Sequence, residues 1–245
     1  GSALWELREV AAPAVENKTG KKKTDQKALK QDSGAVKPYV SALECFDELI
    51  IAYPGSPFVE EAYAKKIDAL AYLKLNEAYY KAINGYMGAF PRGRYIARIK
   101  YLLGKYKEDT GDFNSATAVF SELITQYYYT PYADSAAQGI GDNYLLAQQY
   151  EKAIAAYQNT MKLNRSEFSE LHILLPQAHN PIDYKIAYSY GKLNNFSRAV
   201  EYYKSYLFPD NAGAYAGLAL TTLAQMYDAR QDYKNAVSFY KALSG

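Results

Sequence analysis

The only two histidines, His172 and His179, stand seven residues apart, and imidazole is the side chain best suited to metal ligation or proton transfer near neutral pH. A bound metal usually needs three or four convergent ligands. With only Glu170 and Asp183 nearby in sequence, the pair predicts no metal site, and two histidines in one segment supply no nucleophile–base–acid triad. Cys45 is the single cysteine, which excludes an internal disulfide framework. Beside Phe46 in an apolar-periodic stretch, it is expected to be a small buried hydrophobe, since a reactive thiol needs an electropositive, partly exposed setting. Gly139-Ile140-Gly141 fails as a dinucleotide fingerprint, because Tyr144 stands where a third glycine belongs and no strand precedes it. Gly20-Lys21-Lys22 lacks the spacing of a phosphate loop. The residue types that do chemistry therefore predict no enzyme, no metal and no cofactor.

What remains is the scaffold. The chain has 245 residues with a net charge of +2, so nothing in its charge calls for nucleic acid. No stretch approaches the ~18 apolar residues of a membrane span. Tyrosine is the unusual component at 27 residues, and its apolar ring with a polar tip suits half-buried packing seams and protein interfaces alike. Gly1-Ser2 reads as a scar of tag removal, which leaves room for a signal peptide or lipid-bearing cysteine upstream.

A pattern recurs along the chain. Gly104 stands twelve residues before Ala116, and Phe120 stands four after it. The same offsets join Gly141, Ala153 and Tyr157, then Ala187, Ala199 and Tyr203, then Ala224, Ala236 and Tyr240. Weaker copies are read at Leu70, Tyr79, Ala82 and Tyr86, and at Tyr39, Ala42 and Phe46. A small residue in one helix and an alanine in the next allow close antiparallel approach, and an aromatic one turn later fills the same seam. Thr110-Gly111-Asp112, Asn194-Asn195 and Gln231-Asp232 supply the turns. The alanines at 42, 82, 116, 153, 199 and 236 lie 40, 34, 37, 46 and 37 residues apart, a period near 34 with insertions. The tyrosines on this ladder, among them Tyr144, Tyr150, Tyr157, Tyr190, Tyr203, Tyr227, Tyr233 and Tyr240, are expected in the core.

This ladder resembles the tetratricopeptide repeat family over essentially the whole chain, although the family's first-helix tryptophan is missing from units two to six. The resemblance implies an all-α, right-handed superhelical solenoid of about six antiparallel helix pairs, a single array over residues 1–245. The unit boundaries, such as Tyr53-Pro54-Gly55-Ser56-Pro57-Phe58 and Thr130-Pro131-Tyr132, resemble those of bacterial envelope members of the class, which include an outer-membrane β-barrel assembly lipoprotein and a Tol–Pal-associated periplasmic protein. That implies a periplasmic chain, anchored to the outer membrane by a lipid outside this sequence. The alternatives are a cytoplasmic adaptor of the same fold and an accessory protein carrying a small apolar ligand.

In such a superhelix the first helices line the concave face, which implies Arg98, Tyr101, Lys105, Glu108, Gln138, Asp142, Tyr184, Tyr188 and Lys192 as partner-binding residues. Tyr101, Lys105, Gln138 and Asp142 do not form the Lys/Asn clamp by which some members hold an acidic chaperone terminus. Aromatic and arginine side chains fit a protein or peptide partner instead. Two insertions interrupt the array. Residues 17–35 are rich in lysine, with Lys21, Lys22 and Lys23 either solvated or set against an anionic membrane surface or acidic partner. The lysines have no interleaved aromatics, which argues against nucleic acid. Residues 164–180 hold Phe168, Leu171 and Leu174, which either fold back on the solenoid or meet a partner. Apolar stripes at the ends of the array also leave self-association open.

Overall fold

The structure, a computed structural model, describes residues 37–166, 180–208 and 210–244. Every regular element in them is an α-helix. Two compact units divide the chain, 1–111 and 112–245. The first contains α1 (Lys37–Ala52), α2 (Val59–Tyr72), α3 (Asn76–Ala89) and α4 (Ile96–Asp109). The second contains α5 (Phe113–Gln126), α6 (Pro131–Leu146), α7 (Tyr150–Ser166), α8 (Pro181–Lys192), α9 (Phe196–Leu207), α10 (Ala216–Asp228) and α11 (Tyr233–Ser244). Within each unit consecutive helices pack on one another. The lysine-rich insertion, the amphipathic segment before it and most of the 164–180 insertion, with both histidines, lie outside the described residues.

Local chemistry starts and stops these helices. Asp112, Asn180 and Asn195 accept hydrogen bonds from the backbone N–H groups of Ser115, Ile182 and Arg198, which relieves the orphan donors of a first turn. Pro131 and Pro181 open α6 and α8, where the missing N–H removes no intrahelical bond. Along α9 the buried set is Ala199, Val200, Tyr203, Tyr206 and Leu207, one stripe of helical period.

The turns inside the hairpins correct the period. Lys74, Gly111, Gln148, Asn194 and Gln231 all take left-handed backbone angles, φ +56° to +81°, and they lie 37, 37, 46 and 37 residues apart. The second helices begin at Asn76, Phe113, Tyr150, Phe196 and Tyr233 with the same spacings. The repeat is therefore 37 residues, lengthened once, between α7 and α8. In this register the position held by Ala116, Ala153, Ala199 and Ala236 is held in the second repeat by Tyr79, not Ala82. Its seam partner four residues on is Ile83, not Tyr86. A buried tyrosine at the close-approach position hid the register, because its size is the opposite of what the alanine ladder leads one to seek.

Tyr86 has a different task. Its hydroxyl donates to Glu60 Oε1 at 2.8 Å and accepts the backbone N–H of Tyr95 at 3.0 Å. At the corresponding positions three repeats later, Tyr206 OH accepts the N–H of Tyr215 at 2.7 Å. Each ring thus ties the second helix of one hairpin to the start of the next. Burial raises the pKa of both phenols, and at Tyr86 the hydrogen bond to Glu60 adds to it.

Three further expectations are corrected. Cys45 is exposed, on the side of α1 that carries Ser41, Glu44 and Glu48. Tyr233 and Tyr240 are 61% and 43% exposed, because no described helix follows α11 to cover them. Tyr157, Tyr203 and Tyr227 are buried as expected, whereas Tyr144, Tyr150 and Tyr190 are only half-buried.

Candidate partner-binding site

One repeat position on the first helices is occupied in turn by Asp68, Lys105, Asp142 and Tyr188, at spacings of 37, 37 and 46 residues. Each is held by a charged neighbour. In the first unit Arg98 on α4 pairs with Asp68 on α2, and Lys105 pairs with Glu108 one turn along α4. In the second, Lys185 on α8 reaches Asp142 on α6 at 2.6 Å. Lys192 stands 5.0 Å over the ring of Tyr188. Asp142 also accepts from Tyr157 OH at 2.5 Å, and the Lys185 ammonium lies 5.7 Å from the centre of that ring. Lys185 is only 5% exposed, so its charge depends on this carboxylate and this π face. Ion pairs thus join one first helix to the next inside each unit.

A close approach makes this network reachable. A Cβ on Gly141 would lie 2.3 Å from Tyr157 Cε1 and 2.5 Å from Cδ1. The ring is packed against bare backbone of α6, which brings its hydroxyl to the neighbouring Asp142.

Of the residues expected on the concave face, Gln138, Asp142 and Tyr188 are partly exposed and Lys192 is exposed, all on α6 and α8. In the first unit Arg98 and Tyr101 are partly exposed and Lys105 is exposed. Two positions are different. Tyr184 is 3% exposed, stacked on Tyr215 at 4.8 Å and edge-on to Tyr203 and Tyr206, so its ring is core rather than contact surface. Glu108 is buried beside Lys105. The helical offset that placed both outward took no account of the tyrosine-rich turn before α10 or of the α4 salt bridge. Among the described residues no group of three or more His, Cys, Asp or Glu side chains could hold a metal ion. No described helix is long and apolar enough to cross a membrane.

Comparison with known proteins adds a family signature. The tetratricopeptide repeat model matches residues 183–210, which span α8 and α9. Those residues carry the signature of one tetratricopeptide repeat. Solved structures share the fold. BtubC (BKLC) from P. vanneervenii superposes with a TM-score of 0.63 at 11% identity, covering 85% of this chain and 88% of that one. PilW, a widely conserved type IV pilus biogenesis factor, superposes at 0.58 and 16% identity, covering 89% and 90%. MamA from Desulfovibrio magneticus RS-1 superposes at 0.59 and 14% identity, covering 76% and 93%. At such identities the likeness is one of fold. No curated protein sequence matches the chain.

The 37-residue register also exposes a feature that sequence reading missed. Between α5, α6 and α7 lies a groove of about 350 Å³, lined by Ile124, Ala137, Ile140, Tyr144, Ala156 and Lys152 among others. On α6 the lining residues 137, 140 and 144 stand on the other side from Gln138 and Asp142. The available signal was Ala156, a small residue where the next two repeats carry Tyr202 and Phe239. It becomes readable only once the 37-residue register is known.

Proposed function

We propose that this chain is a non-catalytic scaffold of the bacterial cell envelope that holds a protein or peptide partner on the faces presented by its first helices. The observation that carries this reading is the row on α6 and α8. There Asp142, Lys185 and Tyr157 fix one another, and Tyr188 and Lys192 stand accessible beside them as a ring with its own cation. Such a surface is preorganised, so a partner does not have to order it, and an aromatic ring with charges of both signs is typical of interface hot spots. PilW, a type IV pilus biogenesis factor, shares the fold and supports this reading. The envelope assignment rests on that likeness and on the boundary motifs.

The test compares wild type with a Tyr188→Ala, Lys192→Glu variant in capture from the envelope fraction of the source cell, after circular dichroism shows equal helicity. A discrete protein retained by wild type and lost by the variant supports the reading. Equal capture by both moves the site off α8. A partner found only in the cytoplasmic fraction overturns the envelope assignment.

A further inference from the structure

In the fifth and sixth repeats, two equivalent positions hold a stacked pair of rings. Tyr190 on α8 and Tyr202 on α9 stack at 5.8 Å and 26°, and Tyr227 on α10 and Phe239 on α11 stack at 5.6 Å and 15°. The second and third repeats carry Leu70 with Ala82 and Lys107 with Val119, so neither has the pair. The fourth keeps the first ring, Tyr144, and has Ala156 in place of the second. Both residues line the 350 Å³ groove, with Ile124, Ala137, Ile140 and Ala155 completing its apolar walls. The groove is therefore the place of a ring that none of the described residues supplies.

Its rim shows what should accompany that ring. Lys152 stands 5.6 Å from the centre of Tyr144 and has no anionic partner among the described residues. Asn159, exposed at the other end, has a side-chain amide with no hydrogen-bond partner among them. A cation also faces the completed pair of the sixth repeat, with Lys204 on the preceding helix α9 standing 5.8 Å from Tyr227 and 6.0 Å from Phe239. A ring entering the groove would stack on Tyr144 under a cation and bury apolar area, and an acidic group beside it would neutralise Lys152.

We infer that the groove between α5, α6 and α7 is a receptor for an aromatic side chain of a partner polypeptide, stacked on Tyr144 in place of the missing ring, with an adjacent carboxylate at Lys152. The site lies on the other side of α6 from the row described above and does not depend on it. The internal repeats supply both the stacking geometry and the variant that tests it, because Ala156→Tyr restores what repeat five already contains.

The probe is a short blocked peptide with tryptophan followed by aspartate, measured by fluorescence anisotropy against the same peptide with leucine for tryptophan. Binding of the tryptophan peptide should be at least about tenfold tighter. Ala156→Tyr should fold with equal or higher thermal stability, show nuclear Overhauser contacts between its ring and Tyr144, and weaken the peptide by about tenfold or more. Lys152→Glu should weaken the aspartate peptide more than an asparagine version, which loses only the cation over the ring. Equal affinity for the leucine peptide overturns the inference, as does unaltered binding to a folded Ala156→Tyr protein. Marked destabilisation by Ala156→Tyr overturns the vacated-ring premise. Binding of free indole-3-acetate without binding of the peptide reassigns the groove to a small molecule. Concentration-dependent dimers abolished by Ala156→Tyr, again without peptide binding, reassign it to a second copy of the chain.

Discussion

Gly141→Ala sets two physical effects against each other, and the structure says which one wins. In an exposed helix interior the exchange stabilises by about 1 kcal/mol, because alanine loses less backbone entropy and has the higher helix propensity. At Gly141 the new methyl would meet Tyr157 Cε1 at 2.3 Å, Cδ1 at 2.5 Å and Cζ at 2.9 Å. These are ring carbons of a fully buried side chain, not the loose end of a flexible one. The ring cannot rotate away without surrendering its hydroxyl bond to Asp142 and its place beside the Lys185 ammonium. Overpacking of this kind costs about 1–3 kcal/mol, and loss of a hydrogen bond to a charged group adds about 1.5–3 kcal/mol. Set against the propensity gain, a net loss of about 1.5–5 kcal/mol is expected. Urea unfolding followed by far-ultraviolet circular dichroism measures it, with an unchanged m-value showing that the two proteins expose similar surface on unfolding. Gly191→Ala is the control, since a Cβ there meets nothing within 4 Å, and it should be neutral or stabilising by up to about 1 kcal/mol. A Gly141→Ala protein as stable as wild type would refute the close approach of α6 to the Tyr157 ring.

Asp142→Ala should cost about 3–5 kcal/mol in the same urea assay, because it strands the buried Lys185 ammonium; adding Lys185→Met should recover much of that loss. Tyr86→Phe removes the tie between Glu60 and the Tyr95 N–H, and should lower stability by about 1–3 kcal/mol in thermal unfolding. Stability should also fall at alkaline pH. Burial raises Tyr79 to about 12 and raises Tyr86 and Tyr206, so the folded state keeps phenolic protons that the unfolded chain loses near pH 10. These groups contribute fully below about pH 10, and a denaturant midpoint series should show the loss growing as pH rises towards 12. Gln231→Gly should be neutral or stabilising by up to about 1 kcal/mol at its left-handed φ of 62°, whereas Gln231→Val should destabilise, both read from urea midpoints.

The helix pairs were legible in the sequence because the small-residue, alanine and aromatic ladder is a direct imprint of antiparallel packing, and repeats three to six keep it at Gly104/Ala116, Gly141/Ala153, Ala187/Ala199 and Ala224/Ala236. Repeat two was misplaced by three residues. Tyr79 and Ile83 fill its seam with bulk, so the nearby Ala82 and Tyr86 mimicked the pattern at a false register. The turn residue Lys74 marks the true one, but a lysine in the left-handed region carries no sequence signal of the kind that Gly111 or Asn194 gives. Gln138, Asp142, Tyr188 and Lys192 could be placed by counting along a helix, because their exposure depends on helical phase. Tyr184 could not, since its burial is decided by Tyr215, which belongs to the turn before the next hairpin. The ring-sized groove required the register first, as it is defined by what Ala156 lacks relative to Tyr202 and Phe239.

The central claim is that the first-helix surface on α6 and α8 engages a protein partner. A photo-crosslinking amino acid placed singly at Gln138, Tyr188 or Lys192, and at the exposed second-helix positions Ser121 and Ser238 as controls, tests it in the source cell. The predicted result is one shared adduct of defined mass from the three first-helix positions and none from the controls. Adducts from Ser121 and Ser238 alone, or indiscriminate adducts from all five, would contradict the claim.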